Sequence, residues 1–457
     1  MLIAAGHAVW ILLTILYTFL ALGSCATAPP APVHAVQIEV PLPAPEGARI
    51  SILSARGQSA HQLLRAANLF MSEHPGTLIS IHTIEDESDY RALLRSRLLT
   101  GERVDLFHIF GHTDMVELYE HLDDLSDLAW ARSAIADTLE PVSVEERFYG
   151  VPFSVEGVGL IVNRRIFEAA GISLSGVGDD FEGLEEALGQ LREMIMSGDP
   201  ILADFPALET VTSLPGMDYD FLARQLADIA LSGEFETASA AAQAGSIYFL
   251  NAADIGRYIA LLARNTSHGR GWTMLPNISR SEQVEGGLAI ERVALIQQST
   301  EVYARLLAAN PELEGALSLL PIPLPQGERS HVYTHAPIYW AINAAAQEDS
   351  KALARDFLTW LYQSDEGAAF LAQEIGVLSA FRDAAAPTGN PLHDQLLSLI
   401  AQGRHIPRRH REFPQGWATG SFAPALRDYF TILDLAWEEV AARVTLDWAH
   451  SRAGEYR

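Results

Sequence analysis

Cysteine is almost absent from this chain of 457 residues, which contains Cys25 and no other. A single thiol can form neither an internal disulfide nor a thiolate metal cluster. The motifs G-x-S-x-G, H-E-x-x-H, Walker A and G-x-G-x-x-G are also missing, and these motifs mark serine hydrolases, zinc proteases and nucleotide-binding proteins. We therefore expect a chain that is not an enzyme and that needs no metal or cofactor.

Positive charge is scarce as well. The chain has 31 Lys and Arg residues against 58 Asp and Glu residues, which gives a net charge of -27. Such a surface repels nucleic-acid phosphates and anionic lipid headgroups, so no nucleic-acid partner is expected. Hydrophobic residues make up 49% of the chain, which is enough for a sizeable buried core, and the length favours two lobes over one.

The N-terminus lacks charge of either sign, because residues 1–38 contain no Lys, Arg, Asp or Glu. Residues 8–22 form an apolar run that ends at Gly23, Ser24 and Cys25. A helix that spans a bilayer needs about 20 apolar residues, and this run is shorter. The pattern predicts a signal peptide over residues 1–24, with an uncleaved membrane anchor and an idle cysteine as the alternative.

The sequence around Cys25, Leu22-Gly23-Ser24-Cys25, resembles the lipobox of bacterial lipoproteins. The resemblance implies that Cys25 carries a lipid and anchors the chain in the periplasm or on the outer cell surface. The segment before the apolar run departs from that pattern because it has no Lys or Arg. Residues 25–47 are rich in proline and are predicted to form a semi-rigid tether.

The body of the chain begins with an alternation of strand-like and helix-like segments. Strand patterns at 48–55, 78–84 and 104–110 are separated by helical patterns at 58–74 and 89–99. This β-α-β-α-β order predicts an α/β fold with a parallel sheet. Further helices are predicted at 182–196, 215–233, 288–309 and 351–363, followed by a helical C-terminus.

A basic cluster, RHIPRRHREF, starts at Arg404 and includes His405 and His410. The histidine spacing alone could suit a metal, but neighbouring arginines argue against a metal site. We interpret the cluster as an exposed basic turn, with use as a docking patch left open.

Several segments, in order, resemble one protein family. Residues 149–172, YGVPFSVEGVGLIVNRRIFEAAGI, are similar to a Tyr-Gly-hydrophobic-Pro stretch followed by Tyr-Asn-(Lys/Arg)-x-x-Phe-x-x-Ala-Gly-Ile. Other matching segments are VDLFHIF, GGLAIERVALIQQSTEVYARLL, LSLLPIPLPQG, YWAINAAAQEDSKALARDFLTWLYQSDEG and REFPQGWATGSFAPAL. The family is that of the extracellular solute-binding proteins of ABC transporters, in particular the carbohydrate-binding group that includes maltose-binding proteins. Val162 replaces the usual tyrosine, and Thr300 replaces a frequent stacking tryptophan.

The resemblance implies a type II periplasmic-binding-protein fold, with two α/β lobes and a ligand cleft between them. Lobe 1 is expected at 48–156 and 322–378, and lobe 2 at 157–321 and 379–457. The crossings between lobes are expected near 154–157, 321–325 and 376–379. The implied partners are a small solute, captured by hinge closure, and the transmembrane subunits of an ABC permease. A monomer is expected, attached to the membrane only through the lipid anchor.

A sugar site needs polar groups for the hydroxyl edge and an aromatic ring for the C–H face. Glu156 lies at the first crossing, where maltose-binding proteins place a ligand carboxylate, and Trp417 is the stacking candidate. The other ligand-binding candidates come from loops expected to face the cleft: Arg56, Gln58, His112, Asp114, Gln298, Ser299, Thr300, Tyr333, Thr334 and His335. Two alternatives remain: a non-sugar solute such as a polyamine, phosphodiester or metal chelate, and a hydrolase with paired carboxylates.

Overall fold

The structure is a computed structural model that describes residues 47–270, 278–327, 329–382 and 386–454. The predicted signal peptide, Cys25 and nearly all of the tether lie outside the described residues. Among the helices that are described, none is long and apolar enough to cross a bilayer.

The strands are numbered in chain order: β1 (Arg49–Ser54), β2 (Leu78–Thr83), β3 (Leu106–Ile109), β4 (Ser143–Val144), β5 (Arg147–Phe148), β6 (Val151–Pro152), β7 (Glu156–Asn163), β8 (Thr210–Thr212), β9 (Val293–Ser299), β10 (Leu317–Leu320), β11 (Val332–His335), β12 (Tyr339–Ile342) and β13 (His405–Pro407).

The α-helices are α1 (Ala60–Glu73), α2 (Glu87–Thr100), α3 (His112–Glu117), α4 (Arg164–Ala169), α5 (Phe181–Ser197), α6 (Tyr219–Leu231), α7 (Ala238–Gln243), α8 (Ala252–Arg264), α9 (Arg280–Gln283), α10 (Tyr303–Ala309), α11 (Glu348–Gln363), α12 (Asp365–Ala369), α13 (Pro391–Ala401), α14 (Ala423–Thr431) and α15 (Trp437–Arg452).

The first lobe is built on a sheet with strand order β2-β1-β3-β12-β6. Strand β1 pairs in parallel with β2 and β3, whereas β12 runs antiparallel to β3 and β6. The predicted β-α-β-α-β block is therefore confirmed. Helix α1 covers this sheet with Leu63, Ala66, Ala67 and Phe70, which recur at helical spacing and are buried.

The second lobe is built on a sheet with order β13-β11-β7-β9-β8, and β10 also pairs with β7. Every residue of β7 is buried, because helices pack on both faces of this sheet. The predicted helix over 288–309 is wrong in its central part, where Val293–Ser299 forms strand β9. A short apolar run such as VALIQQS fits a buried strand and a buried helix equally well, so periodicity could not separate them.

One of the predicted connections between the two sheets lies elsewhere in the structure. The first crossing runs from β6 to β7 through residues 153–155, as expected. The second does not lie at 321–325, because β11 still pairs with β7 in the second sheet. It runs through residues 336–338, so residues 322–335 belong to the second lobe. Prolines indicate an extended chain but not which sheet that chain joins.

Candidate functional site

Glu156 is the first residue of β7 and lies where the first crossing enters the second sheet. Its side chain meets two other predicted residues, because the strand register places β9 and β11 beside it. Ser299 Oγ donates a hydrogen bond to Glu156 Oε2 at 3.1 Å, and His335 Nε2 lies 4.0 Å from the same oxygen. Three predicted residues from three strands therefore form one polar group, which we call the crossing cluster: Glu156, Ser299 and His335.

Burial sets the protonation of the crossing cluster. Burial raises the pKa of Glu156 to about 7, and the nearby negative charge of Glu301 adds to the effect, against the opposing charge of Arg56. Burial, followed by the positive charge of Arg408, lowers the pKa of His335 well below its usual range. At neutral pH His335 is therefore neutral, and Glu156 exchanges between its acid and its carboxylate form.

Arg56 and Gln58 follow β1 in the first lobe. The Arg56 guanidinium lies 5.0 Å from the centre of the Phe153 ring, close enough to Glu156 for its charge to favour the carboxylate form. Gln58 is exposed, and its Nε2 donates to Glu85 Oε1 at 3.4 Å. Arg56 therefore belongs with the crossing cluster, whereas Gln58 lies apart at the surface.

His112 and Asp114 follow β3, and both are buried. Asp114 accepts a hydrogen bond from the Phe110 N–H at 2.9 Å and pairs with Arg91. It therefore holds the turn after β3 in place. The His112 N–H donates to Glu412 of the second lobe at 3.0 Å, so this turn does contact the opposite lobe.

Gln298, Thr300 and Thr334 are fully buried and are not part of the crossing cluster. Gln298 Nε2 donates to Gln283 Oε1 at 2.6 Å, and Thr300 Oγ1 accepts from the Gly157 N–H at 3.5 Å. Adjacent residues of a strand point to opposite faces, so Gln298 and Ser299 could not both face Glu156. Tyr333 is also buried and packs in the core of the second lobe.

Trp417 does not face the cleft, which corrects its prediction as a stacking residue. Its side chain is fully buried, its Nε1 donates to the Val444 carbonyl at 2.8 Å, and its ring stacks on Phe422 at 5.5 Å between centroids. The ring also contacts Trp448 edge to face. Trp417 is thus a core residue of the second lobe with its polar atom satisfied.

The basic cluster is not an exposed turn, which corrects a second prediction. Asp228 of α6 is fully buried and accepts from Arg408 Nε at 2.5 Å and from the N–H groups of Arg409 and His410 at 2.8 Å. Burial alone would raise the pKa of Asp228, yet His410 and Arg408 beside it hold that pKa well below its usual range. Asp228 therefore fixes the backbone that follows β13.

Residues 408–412, which we call the bridging segment, connect the two lobes. Glu412 accepts from the Thr113 N–H at 2.9 Å and from Thr113 Oγ1 at 2.6 Å, in addition to His112. Arg409 Nη1 lies 2.5 Å from Glu140 Oε2, and Arg411 Nη1 lies 3.2 Å from Glu87 Oε1. Each of these contacts joins a residue of the second lobe to one of the first.

The bridging segment lies between the lobes, beside a small cavity. The cavity lined by Thr334, His335, residues 407–412 and the end of β3 has a volume of about 30 Å³. One water molecule occupies roughly 30 Å³ in the liquid, so a sugar ring does not fit here. The structure therefore shows the two lobes in contact, with the chain's own side chains between them.

Sequence reasoning missed Asp228, Glu301, Arg408 and Glu412. A signal for Asp228 was present, since it is a lone acid within the apolar run Leu222–Leu231 of α6. Four arginines beside two histidines, in a chain with net charge -27, also pointed to buried acidic partners rather than to a free basic surface.

The comparisons with known proteins agree with this architecture. The family model for bacterial extracellular solute-binding proteins matches residues 66–394. The chain belongs to this family. Among curated proteins, none matches the sequence of this solute-binding protein.

Solved structures match the solute-binding protein over most of its length. MsmE of Bacillus subtilis in an open conformation has a TM-score of 0.69 at 15% identity, covering 90% of this chain and 99% of its own. RafE of Streptococcus pneumoniae without ligand has a TM-score of 0.67 at 15% identity, covering 91% and 100%. A probable secreted solute-binding lipoprotein of Streptomyces coelicolor has a TM-score of 0.64 at 17% identity, covering 87% and 98%. RafE has also been solved in complex with raffinose, with a TM-score of 0.63 at 15% identity, covering 88% and 99%. These matches establish the shared two-lobed α/β fold.

Proposed function

We propose that this protein is the solute receptor of an ABC importer, and that it captures a sugar or oligosaccharide between its lobes and delivers it to the permease. The observation that carries the proposal is the crossing cluster, where Glu156, Ser299 and His335 meet at the hinge with Arg56 of the first lobe nearby. RafE, a protein of the same fold, has been solved with raffinose bound.

The chemistry of this cluster suits hydroxyl groups. Near neutral pH the Glu156 carboxyl both donates and accepts hydrogen bonds, neutral His335 does the same, and Arg56 only donates. A hydrogen bond to a charged group contributes about 1.5–3 kcal/mol, and a micromolar site requires about 8 kcal/mol in total. A few such bonds, with one ring face for the sugar C–H groups, reach that range. Phe110 and Phe153 are rings near this cluster, and both are buried in this structure, so stacking on either one requires the lobes to separate.

We propose that ligand entry requires the bridging segment to leave the cleft, because the cavity beside this segment holds only about 30 Å³. A hinge rotation about residues 153–155 and 336–338 separates Glu412 from His112 and Thr113 while each lobe keeps its own sheet. We therefore propose that the structure corresponds to a closed form and that solute binds to an opened one.

The proposal is tested by thermal denaturation and calorimetry with a panel of mono- and oligosaccharides that includes raffinose. A bound sugar raises the melting temperature, since stability increases with RT ln(1 + [L]/Kd). We expect Glu156→Gln to weaken the binding of that sugar by about tenfold, whereas Glu168→Gln, an exposed glutamate just after β7, leaves it unchanged. A panel in which no sugar raises the melting temperature would refute the sugar assignment.

A second candidate is a solute that carries an acidic group. It is favoured by Phe110, whose ring lies 4.4 Å from the Arg91 guanidinium and 5.0 Å from that of Arg411. Guanidinium groups bind carboxylates in a bidentate manner and cover the ring that a neutral sugar would use. Adding uronic acids and dicarboxylic acids to the same panel distinguishes the candidates, because only this one predicts that Arg411→Gln abolishes binding.

We further propose that the protein acts without catalysis. The nearest approach to a hydrolase is the electrostatic coupling between Glu156 and Glu301, and Glu301 is itself paired with Arg280. A sugar found in the panel should therefore be recovered intact after prolonged incubation, as judged by chromatography.

A further inference from the structure

The second lobe contains a cavity of about 490 Å³ that shares no lining residue with the cavity between the lobes. It lies where the start of α8 and the end of α6 meet strand β11. The residues at its base are buried: Ile229, Ile322 and Tyr333. Leu250 and Gln326 are exposed at its rim. Pockets that hold small ligands have volumes of about 300–1,000 Å³, so this cavity is of a suitable size.

Asp254 is the residue of this cavity that indicates a ligand site. It lies in the first turn of α8 and lines the cavity, and its side chain is 8% exposed. Its Oδ1 atom is buried and has no hydrogen-bond donor among the residues that the structure describes. A buried carboxylate oxygen without a donor destabilises the folded protein, and a ligand that donates a hydrogen bond here removes that cost.

The charged neighbours of Asp254 do not supply this donor. Burial, together with the positive charge of Arg404, lowers the pKa of His331, so this cavity residue is neutral at neutral pH. Arg329 is exposed at the rim. The walls formed by Ile322, Leu324 and Ile406 are apolar, so they suit a hydrocarbon chain.

We propose that this cavity is a second ligand site, separate from the cleft, which binds a small organic ammonium ion with its charged group on Asp254 and its hydrocarbon chain against Ile322, Leu324 and Ile406. The Tyr333 hydroxyl accepts a further hydrogen bond from the ammonium group. The site is distinct from the proposed solute site, because none of its lining residues belongs to the crossing cluster.

The probe is hexylammonium, compared with 1-hexanol and hexanoate, which share its chain but carry no charge or the opposite charge. Calorimetry on the full chain should detect binding of hexylammonium, weaker binding of 1-hexanol and no binding of hexanoate. Asp254→Asn should weaken hexylammonium binding by about tenfold or more and leave 1-hexanol unchanged. The matched control is Asp394→Asn, an exposed aspartate in the first turn of α13, which should behave like the native protein.

A second variant covers the case in which Asp254→Asn fails to fold. Leu324→Trp places a large ring in the cavity and should remove the binding of both hexylammonium and 1-hexanol, with circular dichroism unchanged. The proposal is overturned if hexylammonium fails to bind the native protein, if it binds Asp254→Asn with native affinity, or if it binds Leu324→Trp equally well. None of these measurements uses the solute of the cleft. Failure of this proposal would therefore leave the proposed transport function untouched, and the reverse also holds.

Discussion

The strand register, the burial of β7 and the position of the hinge together determine the environment of the Glu156 side chain. Its ordinary pKa of 4.5 is raised to about 7 in the folded protein, chiefly by burial. The acid form is therefore favoured by folding. The stabilisation is complete below pH 4.5 and is lost as the pH rises through about 7. Protein stability should thus fall over this window because of one group.

The Glu156→Gln variant tests this pH dependence. Each pKa unit corresponds to about 1.4 kcal/mol, so the native protein should lose roughly 2–3 kcal/mol of unfolding free energy between pH 4.5 and pH 8, relative to Glu156→Gln. Urea denaturation at a series of pH values measures the difference. The Glu168→Gln variant should follow the native curve, and identical pH profiles for native protein and Glu156→Gln would contradict the raised pKa.

Among single residues, the predictions differ in outcome according to how much of the position follows from local pattern. The structure brings the predicted residues Glu156, Ser299 and His335 together because each stands at the end of a strand, and strand ends in one sheet lie close together. Trp417 was misjudged because a tryptophan in a helical region serves a core as readily as a cleft, and only the partners of its ring and Nε1 decide between them. Glu412 could not be found, since its role depends on the approach of two lobes that are distant in sequence.

The bridging segment is the element that sets the width of the cleft. Buried Asp228 binds this segment within the second lobe. Glu140, Glu87 and the turn after β3 bind it from the first lobe. The paired and hydrogen-bonded charges stabilise the contact between lobes without a solute. The proposed closed form therefore implies that a solute must compete with Glu412 for the N–H groups of His112 and Thr113.

The variant Glu412→Gln weakens this contact. Loss of the charge from a buried carboxylate with several donors should lower the unfolding free energy by about 1–3 kcal/mol, while the solute that binds in the cleft should bind about fivefold more tightly for each kcal/mol of lost competition. Calorimetry and denaturation measure the two effects. The control is Glu374→Gln, because Glu374 pairs with Arg65 on the surface. Weaker solute binding by Glu412→Gln would instead show that Glu412 contacts the solute.

Among the elements, local patterns predicted the first lobe well and the second lobe less well. The β1-α1-β2-α2-β3 block follows from short-range alternation of strand and helix patterns, and it is present. Strand β9 was read as helix because it is buried on both faces and shows no alternation. The second crossing was predicted in the wrong place. The sheet to which β11 belongs is determined by its pairing with β7, and those two strands are far apart in the chain.

The whole molecule joins an acidic folded body to an N-terminus that contains the only cysteine. The resemblance of residues 22–25 to a lipobox predicts that the mature protein begins at a lipid-modified Cys25. This prediction gives Cys25 the role of holding the protein at the membrane, with the proline-rich residues 25–47 as the predicted spacer. The net charge of -27 keeps the body itself from adhering to anionic lipid.

Mass spectrometry of the protein from the membrane fraction tests the anchor. We expect an N-terminal fragment that starts at Cys25 with added acyl chains, and we expect Cys25→Ser to move the protein to the soluble fraction. Solute binding by Cys25→Ser should equal that of the native protein, because residue 25 lies far from the cleft in sequence. An intact chain that starts at Met1 and bears an unmodified thiol would contradict the prediction.

The position of β12 has a consequence for the biosynthesis of the protein. This strand, Tyr339–Ile342, separates β3 from β6 in the first sheet, although residues 153–338, which include most strands of the second lobe, come between β6 and β12 in the chain. A nascent chain therefore cannot complete its first lobe until residue 342 has left the ribosome, and contacts between such distant segments form slowly. The matched family is described as extracellular, and late completion of the first lobe is compatible with export of an unfolded chain.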